Sequence, residues 1–467
     1  MEIINISKEK PDFHFIAVGG VGQSALAKIL LQLGYSVSGS DIQESKYVKL
    51  VRSLGGTIYI GHKEENLVGS PKVVISSAIK EDNPELIKAR KLGLEVMHRS
   101  DCLKLISEKF EKFIGCAGTH GKTTTSGLLS FVLEKMEQNP SFAIGGIIPE
   151  YNINASAKVS SKYFVAELDE SDGTIQKYLP DYFLINNLEA DHPDFYKNGL
   201  EDIIPVFEKV AQHMLFKDNA KIFINIDDFG CLKFLEKTKF KDIVSFSVSD
   251  ENADYFAKEI KFEDLNSSFE IYKNGEFLGK MELILPGLHN VYNALAVVSI
   301  LDNLGFEFSS YAPFFKEFSG MGRRFQLVCE TKGIKIIDDY AHHPSEIKST
   351  INSIKDVKRR KVAIFQPHRY TRLKALWDEF LECFYDVDEL FVVDVFCAGD
   401  KPSSIYNSQN FVEFIKEKGV KAEYIEGTME EAAKKIAPKL KENDLVLTLG
   451  AGDITKIGGL INDLLAD

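Results

Sequence analysis

A loop rich in glycine and threonine, between an apolar run and a helical pattern, constrains the fold of this chain most. Residues 113–117 predict a buried strand, and residues 118–125 lead from it into a helix. Glycines let backbone N–H groups surround phosphate oxygens, and the N-terminus of a helix attracts anions. Lys122 supplies a cation for the β- and γ-phosphates of a nucleotide, and the Thr123 hydroxyl can bind Mg²⁺. This order predicts a nucleotide-phosphate site, although Cys116 replaces the first glycine of the usual pattern.

A second glycine loop, residues 19–22, also lies between a predicted strand and a predicted helix. Asp41 ends the following strand, as in Rossmann folds in which an acidic residue binds a ribose hydroxyl. Ala17, however, replaces the first glycine of the dinucleotide fingerprint. The loop is therefore compatible with an NAD site, with a site for another nucleotide, or with tight packing alone.

The alternation of apolar runs and helical patterns predicts an α/β fold with mainly parallel sheets. The alternation starts anew three times, and the third start lies near Lys335. A length of 467 residues also exceeds what one hydrophobic core usually supports. We predict three domains, at residues 1–109, 110–322 and 323–467.

Charge and cysteine usage narrow the class of partner. A formal net charge of −13 disfavours a nucleic acid held by a general electrostatic field. The six cysteines form no C-x-x-C pair, so neither a zinc module nor a disulfide framework is indicated. No apolar run approaches the roughly 20 residues of a membrane span, and residues 1–12 lack the pattern of a signal peptide. We expect a cytoplasmic protein without membrane insertion.

Eight short segments then occur in a characteristic order along nearly the whole chain. They are residues 14–22, 118–125, 167–173, 187–192, 285–294, 322–325, 338–344 and 365–372. In this order they resemble the Mur ligase family, and residues 169–173 and 367–372 favour its alanine-adding branch. The resemblance implies an N-terminal Rossmann-like UDP-binding domain, a central P-loop ATPase domain and a C-terminal Rossmann-like domain that closes on the other two.

The resemblance also implies a reaction. Members of the family use ATP to convert the lactyl carboxylate of UDP-N-acetylmuramate into an acyl phosphate, which the amine of an amino acid then attacks. For this branch the amino acid is L-alanine, and the product serves peptidoglycan synthesis. The implied cofactors are ATP and two Mg²⁺ ions, with Mn²⁺ as a substitute, and the implied state is a monomer or weak homodimer.

Individual residues match the family's motifs. The residues implied in catalysis are Lys122, Glu167, His192, Arg324, His343 and Arg369. Those implied in metal binding are Thr123, Glu167 and His192. Taken alone, Glu167 is more typical of a solvated acid at a strand end, and His192 of a capping or core histidine. Only their place in the ordered set changes that interpretation.

The substrate contacts follow in the same way. The residues implied in ATP binding are Gly118, Thr119, His120, Gly121, Lys122, Thr123, Thr124, Asn290, Asn293, Arg324 and Asp339. Those implied in binding the sugar nucleotide are Gly20, Gly22, Asp41, Ser77 and Arg99, and those implied around L-alanine are His342, His343, Arg369 and Arg372. Guanidinium groups suit an amino-acid carboxylate because they bind it through two parallel hydrogen bonds.

Three alternatives stay open at this point. A related ligase that joins UDP-N-acetylmuramate to a preformed tripeptide shares the ATP chemistry. An NAD-dependent oxidoreductase accounts for residues 19–22 and Asp41, but gives Lys122 and Glu167 no role. A plain ATPase module that regulates a partner is the third. At the sugar end, Ala17, Gln23 and Ala25 depart from the family pattern.

Overall fold

The computed structural model describes residues 10–190 and 195–466. Its backbone forms three sheets, of five, ten and six strands. The described residues divide into two compact units. The first comprises the described parts of Met1–Lys258, Glu270–Gly279 and Tyr292–Phe315, and the second those of Glu259–Phe269, Lys280–Val291 and Lys316–Asp467. The predicted α/β class with three mainly parallel sheets is confirmed. The predicted domain limits stay predictions.

The first sheet is wholly parallel, with the strand order β3-β2-β1-β4-β5. Its elements are β1 (Phe13–Ile16), α1 (Val21–Gln32), β2 (Val37–Asp41), α2 (Lys46–Ser53), β3 (Thr57–Ile60), β4 (Lys72–Ile75), α3 (Pro84–Lys91), β5 (Val96–His98) and α4 (Arg99–Ser107). Every residue of β1 and β2 is buried, as expected for parallel strands covered on both faces. Since β1 and β2 are parallel neighbours, the glycine loop after β1 and Asp41 at the end of β2 meet at one edge.

The second sheet has the order β15-β14-β13-β12-β11-β10-β6-β9-β7-β8. Its elements are β6 (Lys112–Ala117), α5 (Lys122–Lys135), β7 (Ser141–Ile148), β8 (Ile153–Ser156), β9 (Tyr163–Glu167), β10 (Tyr182–Ile185), α6 (Leu200–Met214), β11 (Lys221–Asn225), α7 (Phe229–Lys237), β12 (Ile243–Ser247), β13 (Tyr255–Glu263), β14 (Asn266–Lys273), β15 (Glu276–Leu283), α8 (Leu288–Asn303) and α9 (Phe308–Phe315). The predicted strand and helix around the phosphate loop are confirmed as β6 and α5. Because β6 is parallel to both β9 and β10, the segments that follow these three strands share one edge of the sheet.

The third sheet has the order β16-β17-β21-β18-β19-β20, and only β16 runs antiparallel to its neighbour. Its elements are β16 (Gln326–Thr331), β17 (Ile334–Asp339), α10 (Pro344–Asn352), β18 (Arg360–Phe365), α11 (Tyr370–Ala375), α12 (Trp377–Leu381), β19 (Glu389–Val393), α13 (Ser408–Glu417), β20 (Ala422–Ile425), α14 (Met429–Ile436), β21 (Asp444–Leu449) and α15 (Ile457–Ala466). Among the helices of the described ranges, none is both long enough and apolar enough to span a membrane.

Candidate functional site

The loop between β6 and α5 turns on two glycines that no other residue can replace without strain. Gly118 and Gly121 have φ angles of 125° and 82°, in the region that favours glycine. A Cβ atom on Gly118 would lie 2.9 Å from the backbone oxygen of Asn187, and one on Gly121 would lie 2.6 Å from Oδ1 of Asn293. The loop is therefore packed tightly on its inner side, and Gly121 caps α5.

The segment after β10 holds the phosphate loop from the side. Oδ1 of Asn187 accepts a hydrogen bond from the His120 backbone N–H at 2.7 Å, and Nδ2 of Asn187 donates to the His120 carbonyl at 3.1 Å. The Thr119 backbone N–H donates to the Asn187 carbonyl, and Oγ1 of Thr119 accepts from the Glu189 N–H at 2.8 Å. These contacts determine the shape of the loop. Asn187 begins one of the motifs that carry the resemblance, but the sequence alone predicted no role for it.

A buried amide cluster lies behind the loop. Nδ2 of Asn186 donates to Oγ1 of Thr125 at 2.9 Å, and Oγ1 of Thr125 lies 2.9 Å from Oδ1 of Asn293. Asn186 and Asn293 are only 3% and 4% exposed, and Oδ1 of Asn186 has no partner among the described atoms.

Asn290, the other residue predicted to contact adenine, donates from Nδ2 to the Pro286 carbonyl at 2.8 Å. Adenine contacts by Asn290 and Asn293 stay predictions, and the structure adds a contact of Asn293 with α5.

Lys122 has its ammonium group turned into the loop. Nζ donates to both carboxylate oxygens of Glu170, at 2.9 and 3.0 Å, and to the carbonyls of Gly118 and Thr119 at 2.5 and 3.2 Å. The Glu170 side chain is 2% exposed, and burial raises its pKa although Lys122 opposes that rise. Glu170 lies in the motif at residues 167–173, but the sequence alone predicted no role for it.

Two of the three predicted metal ligands, Thr123 and Glu167, are oxygen donors that lie near the ends of the neighbouring strands β6 and β9. Glu167 ends β9, beside Cys116 of β6, and its Oε2 accepts from the Gly145 backbone N–H at 2.7 Å. Thr123 lies in the first turn of α5. A hydroxyl and a carboxylate suit the hard cation Mg²⁺, so these residues fit the implied metal. The third predicted ligand, His192, lies outside the described residues.

A cavity of about 200 Å³ brings part of the predicted sugar site next to Glu167. Its lining includes Gly22, Arg99, Glu167 and Asp169. Nη2 of Arg99 lies 3.8 Å from the carboxylate of Asp169 and 3.9 Å from that of Asp172. A pocket lined by a guanidinium, a helix N-terminus and two carboxylates can hold a polar, anionic ligand beside a bound cation.

Other predicted sugar contacts have partners within the protein. Oδ2 of Asp41 accepts from the Gly19 backbone N–H at 2.8 Å, and Oγ of Ser77 lies 3.1 Å from Nε2 of His98. Gly20 caps α1. Ala17, which replaces a usual glycine, has a φ angle of 61°, and this conformation costs about 1 kcal/mol or more for a residue with a Cβ atom.

Asp339 is the most enclosed of the predicted site residues after β16. Its Oδ2 accepts from the Phe325 N–H at 2.7 Å and its Oδ1 from the Ala341 N–H at 2.8 Å. Burial raises the pKa of Asp339 to about 6, against the opposing effects of these hydrogen bonds and of Arg324. The guanidinium of Arg324 lies 5.5 Å from the centre of the Tyr340 ring.

Two of the residues predicted to bind the amino acid, His342 and Arg372, form a cluster with an additional histidine, His368. Nη1 of Arg372 donates to Nδ1 of His368 at 3.1 Å, and the His368 ring stacks on Phe396 at 5.5 Å. The His342 ring lies 5.9 Å from the His368 ring. Burial first, and Arg372 next, lower the pKa of His368 to about 4, so its imidazole is neutral near pH 7. His368 lies in one of the motifs that carry the resemblance, but the sequence alone predicted no role for it.

Two other predicted residues stand at helix starts near this cluster. His343 caps α10, and its Nδ1 lies 2.9 Å from Oγ of Ser345. Arg369 caps α11 with a φ angle of 68°, a conformation that non-glycine residues adopt mostly where function or packing demands it. Its backbone N–H donates to the Phe396 carbonyl at 2.9 Å.

Comparison with known proteins covers nearly the full length of the chain. Three family models match consecutive stretches: the Mur ligase family catalytic domain at residues 12–111, the Mur ligase middle domain at residues 116–301, and the Mur ligase glutamate ligase domain at residues 323–452. A UDP-N-acetylmuramate–L-alanine ligase from Carboxydothermus hydrogenoformans is 40% identical over 450 residues, which is 95% of each chain. One from Pelotomaculum thermopropionicum is 40% identical over 453 residues, or 96% of each chain.

A solved structure shares the whole fold. The crystal structure of a UDP-N-acetylmuramate-alanine ligase from Thermotoga maritima matches with a TM-score of 0.80 and 28% sequence identity. The match covers 97% of this chain and 99% of that one.

Proposed function

The chain belongs to the Mur ligase family, and we propose that it joins L-alanine to the lactyl carboxylate of UDP-N-acetylmuramate at the expense of ATP. The observation that carries this function is the 40% identity to L-alanine ligases along 95% of both chains. The reaction is a step of peptidoglycan synthesis. Since ATP and a sugar nucleotide are its substrates, we place it in the cytoplasm.

The first chemical step is phosphoryl transfer. A lactyl carboxylate oxygen attacks the γ-phosphorus of ATP, an O–P bond forms, and ADP leaves with the electrons of the broken bond. Charge grows on the leaving oxygen and on the transferred group, and a preorganised cation stabilises both. We assign this role to Lys122, which begins α5, and the positive end of that helix adds to it.

Divalent cations fit the same place. Thr123 and Glu167 would hold a Mg²⁺ ion that neutralises phosphate charge, and His192 is the proposed ligand of a second ion. Mn²⁺, which accepts the same donor set, is the expected substitute.

The second step forms the amide bond. The amine of L-alanine attacks the acyl carbon, a tetrahedral intermediate forms, and inorganic phosphate leaves as the amine loses its proton to solvent. We propose that Arg369 and Arg372 bind the L-alanine carboxylate, with His342 and His343 beside it. Neutral His368 supports this arrangement because its Nδ1 accepts from Arg372 and so orients the guanidinium.

The remaining proposed contacts concern the two nucleotides. Gly20, Gly22, Asp41, Ser77 and Arg99 form the proposed site of the sugar nucleotide. Gly22 and Arg99 line the same cavity as Glu167, which supports a path from the sugar to the metal.

The remaining ATP contacts are proposed as a set. They are the loop residues Gly118, Thr119, His120, Gly121 and Thr124, together with Asn290, Asn293, Arg324 and Asp339.

The test is the identity of the amide product. The protein is incubated with ATP, Mg²⁺, UDP-N-acetylmuramate and an equimolar mixture of L-alanine, glycine, L-serine and the tripeptide. We expect the L-alanine adduct to dominate by mass, with ADP and phosphate in equal amounts. The difference of one methyl or hydroxyl group limits selectivity over glycine and serine to about 10- to 200-fold. A tripeptide adduct in place of the L-alanine adduct would move the chain to the other branch.

A further inference from the structure

The ammonium group of Lys122 is fully engaged by protein acceptors. A lysine offers three N–H donors, and here they meet the Gly118 carbonyl, the Thr119 carbonyl and the Glu170 carboxylate. A phosphate oxygen can reach Nζ only by displacing one of these acceptors. The charged acceptor, Glu170, forms the strongest of the three interactions because both partners are ionised.

The Glu170 segment is held in place and cannot move easily with the Lys122 side chain. Its backbone oxygen accepts from the Gly173 N–H at 2.9 Å and from the phenol hydroxyl of Tyr196, which ties the segment down on both sides. The side chain is 2% exposed, so a swing toward solvent has no open path. The carboxylate therefore stays in place when Lys122 turns toward a phosphate.

This pair differs from a second Lys–Glu pair, in which Glu134 on α5 binds Lys158. The side chains of Lys158 and Glu134 are 32% and 29% exposed, whereas those of Lys122 and Glu170 are 13% and 2% exposed. A half-buried pair contributes less than an enclosed one, because water competes for both charges. A nearly enclosed pair interacts strongly, so its replacement by a lysine–phosphate contact changes the free energy of binding.

We propose that Glu170 is a positioning residue for the phosphoryl transfer: it holds the Lys122 ammonium inside the phosphate loop, and ATP binds by taking the lysine from this carboxylate. Glu170 thus lowers the affinity for the nucleotide and holds the Lys122 ammonium inside the loop until the γ-phosphate arrives. The proposal rests on the function proposed above. The raised pKa of Glu170 agrees with it, since a carboxylate that loses its cation can take up a proton instead.

The experiment compares Glu170→Gln with the parent protein. Glutamine keeps the size and one acceptor but removes the charge, so the dissociation constant of Mg²⁺ and AMP-PNP, measured by calorimetry, should fall about tenfold. In steady-state assays KM for ATP should fall with it, whereas kcat should stay within about twofold of the parent value, because bound ATP has already displaced Glu170 from Lys122. Glu170→Asp, which keeps the charge on a shorter side chain, should bind AMP-PNP with an affinity between those of the parent and Glu170→Gln.

Matched controls separate this role from a structural one. Glu134→Gln removes the half-buried Glu134–Lys158 pair and should leave the affinity for AMP-PNP unchanged. If Glu170→Gln binds AMP-PNP as the parent does, or more weakly, the proposal is wrong. If Glu170→Gln does not fold, Glu170→Asp tests the proposal by itself. The shorter aspartate side chain weakens the ion pair with Lys122, so this variant must bind AMP-PNP more tightly than the parent does.

The result stands apart from the proposed function. Binding of AMP-PNP requires neither amino acid nor sugar, so the comparison is informative even if the parent forms no amide with L-alanine. That latter outcome would contradict the proposed function and leave the Glu170 measurement intact.

Discussion

Oδ1 of Asn293 lies 2.9 Å from the hydroxyl of Thr125, although 168 residues separate them in the chain. The same oxygen lies 2.6 Å from the position that a Cβ atom would take on Gly121. The first turn of α5 is thus packed against α8, and the phosphate loop cannot widen without breaking a buried polar contact. The contact between Asn293 and the first turn of α5 therefore keeps the phosphate loop in its observed shape.

Gly121→Ala should disrupt the phosphate loop. The residue has a φ angle of 82°, which costs a residue with a Cβ atom about 1–3 kcal/mol, and the new methyl group also collides with Asn293. We expect at least about a tenfold loss of ATP affinity and a lower melting temperature. Gly34→Ala is the control, because Gly34 also has a positive φ but nothing within 4 Å of its Cβ position. An equal loss of ATP affinity in both variants would contradict the collision.

Lys122→Ala should abolish ligation and spare the sugar nucleotide. Loss of a cation aimed at the transferred phosphate lowers kcat about 100- to 1,000-fold, by analogy with other preorganised donors. The dissociation constant of UDP-N-acetylmuramate should stay within about twofold, because its proposed contacts lie elsewhere. Calorimetry with each ligand measures both effects. Loss of UDP-N-acetylmuramate binding in the same variant would contradict the assignment of ATP and the sugar nucleotide to separate sets of residues.

The same variant should also be less stable. Truncating one partner of a buried ion pair destabilises a protein by about 3–5 kcal/mol, because the other charge remains enclosed. The double variant Lys122→Ala with Glu170→Gln should regain part of the melting temperature without regaining activity. If the second substitution lowers the melting temperature further, the pair is not coupled as the distances indicate.

His368→Ala should impair use of L-alanine. The change removes the acceptor for Nη1 of Arg372 and the ring that stacks on Phe396. We expect KM for L-alanine to rise about tenfold while the affinity for ATP stays the same. His213→Ala, at an exposed position on α6, serves as the control. Burial lowers the pKa of His368 to about 4, so the residue stays neutral between about pH 6 and pH 8. Titration of His368 should therefore cause no change in KM for L-alanine over this pH range.

Asp339→Asn should change how stability depends on pH. The folded pKa of Asp339 is raised to about 6 from 3.8, so the protonated form favours the folded state. Its stabilising contribution is complete below about pH 3.8 and is lost as pH rises through about 6. The melting temperature of Asp339→Asn relative to the parent should therefore be higher at pH 7.5 than at pH 5. A difference that does not vary with pH would contradict the raised pKa.

Local patterns in the sequence were enough to predict the strand–loop–helix units. The turn at Gly118 and Gly121 depends on backbone angles, and the helix that begins at Lys122 depends on residues within a few positions of it. Asp41 at the end of β2 follows from the same local alternation of apolar runs and turns. Such features are readable from the sequence because their energetics involve neighbours in the chain.

The tertiary structure alone decided which distant groups meet. Asn187 binds the backbone of His120, and Glu170 binds Lys122, because the parallel order β10-β6-β9 brings three loops to one edge of the second sheet. Strand order depends on which apolar faces are covered by which helices, and no local window of residues contains that information. The sequence alone therefore determined the phosphate loop and its chemistry. Only the tertiary structure determines that Glu170 binds Lys122, because a buried charge needs a partner of opposite charge and the sheet places Glu170 beside it.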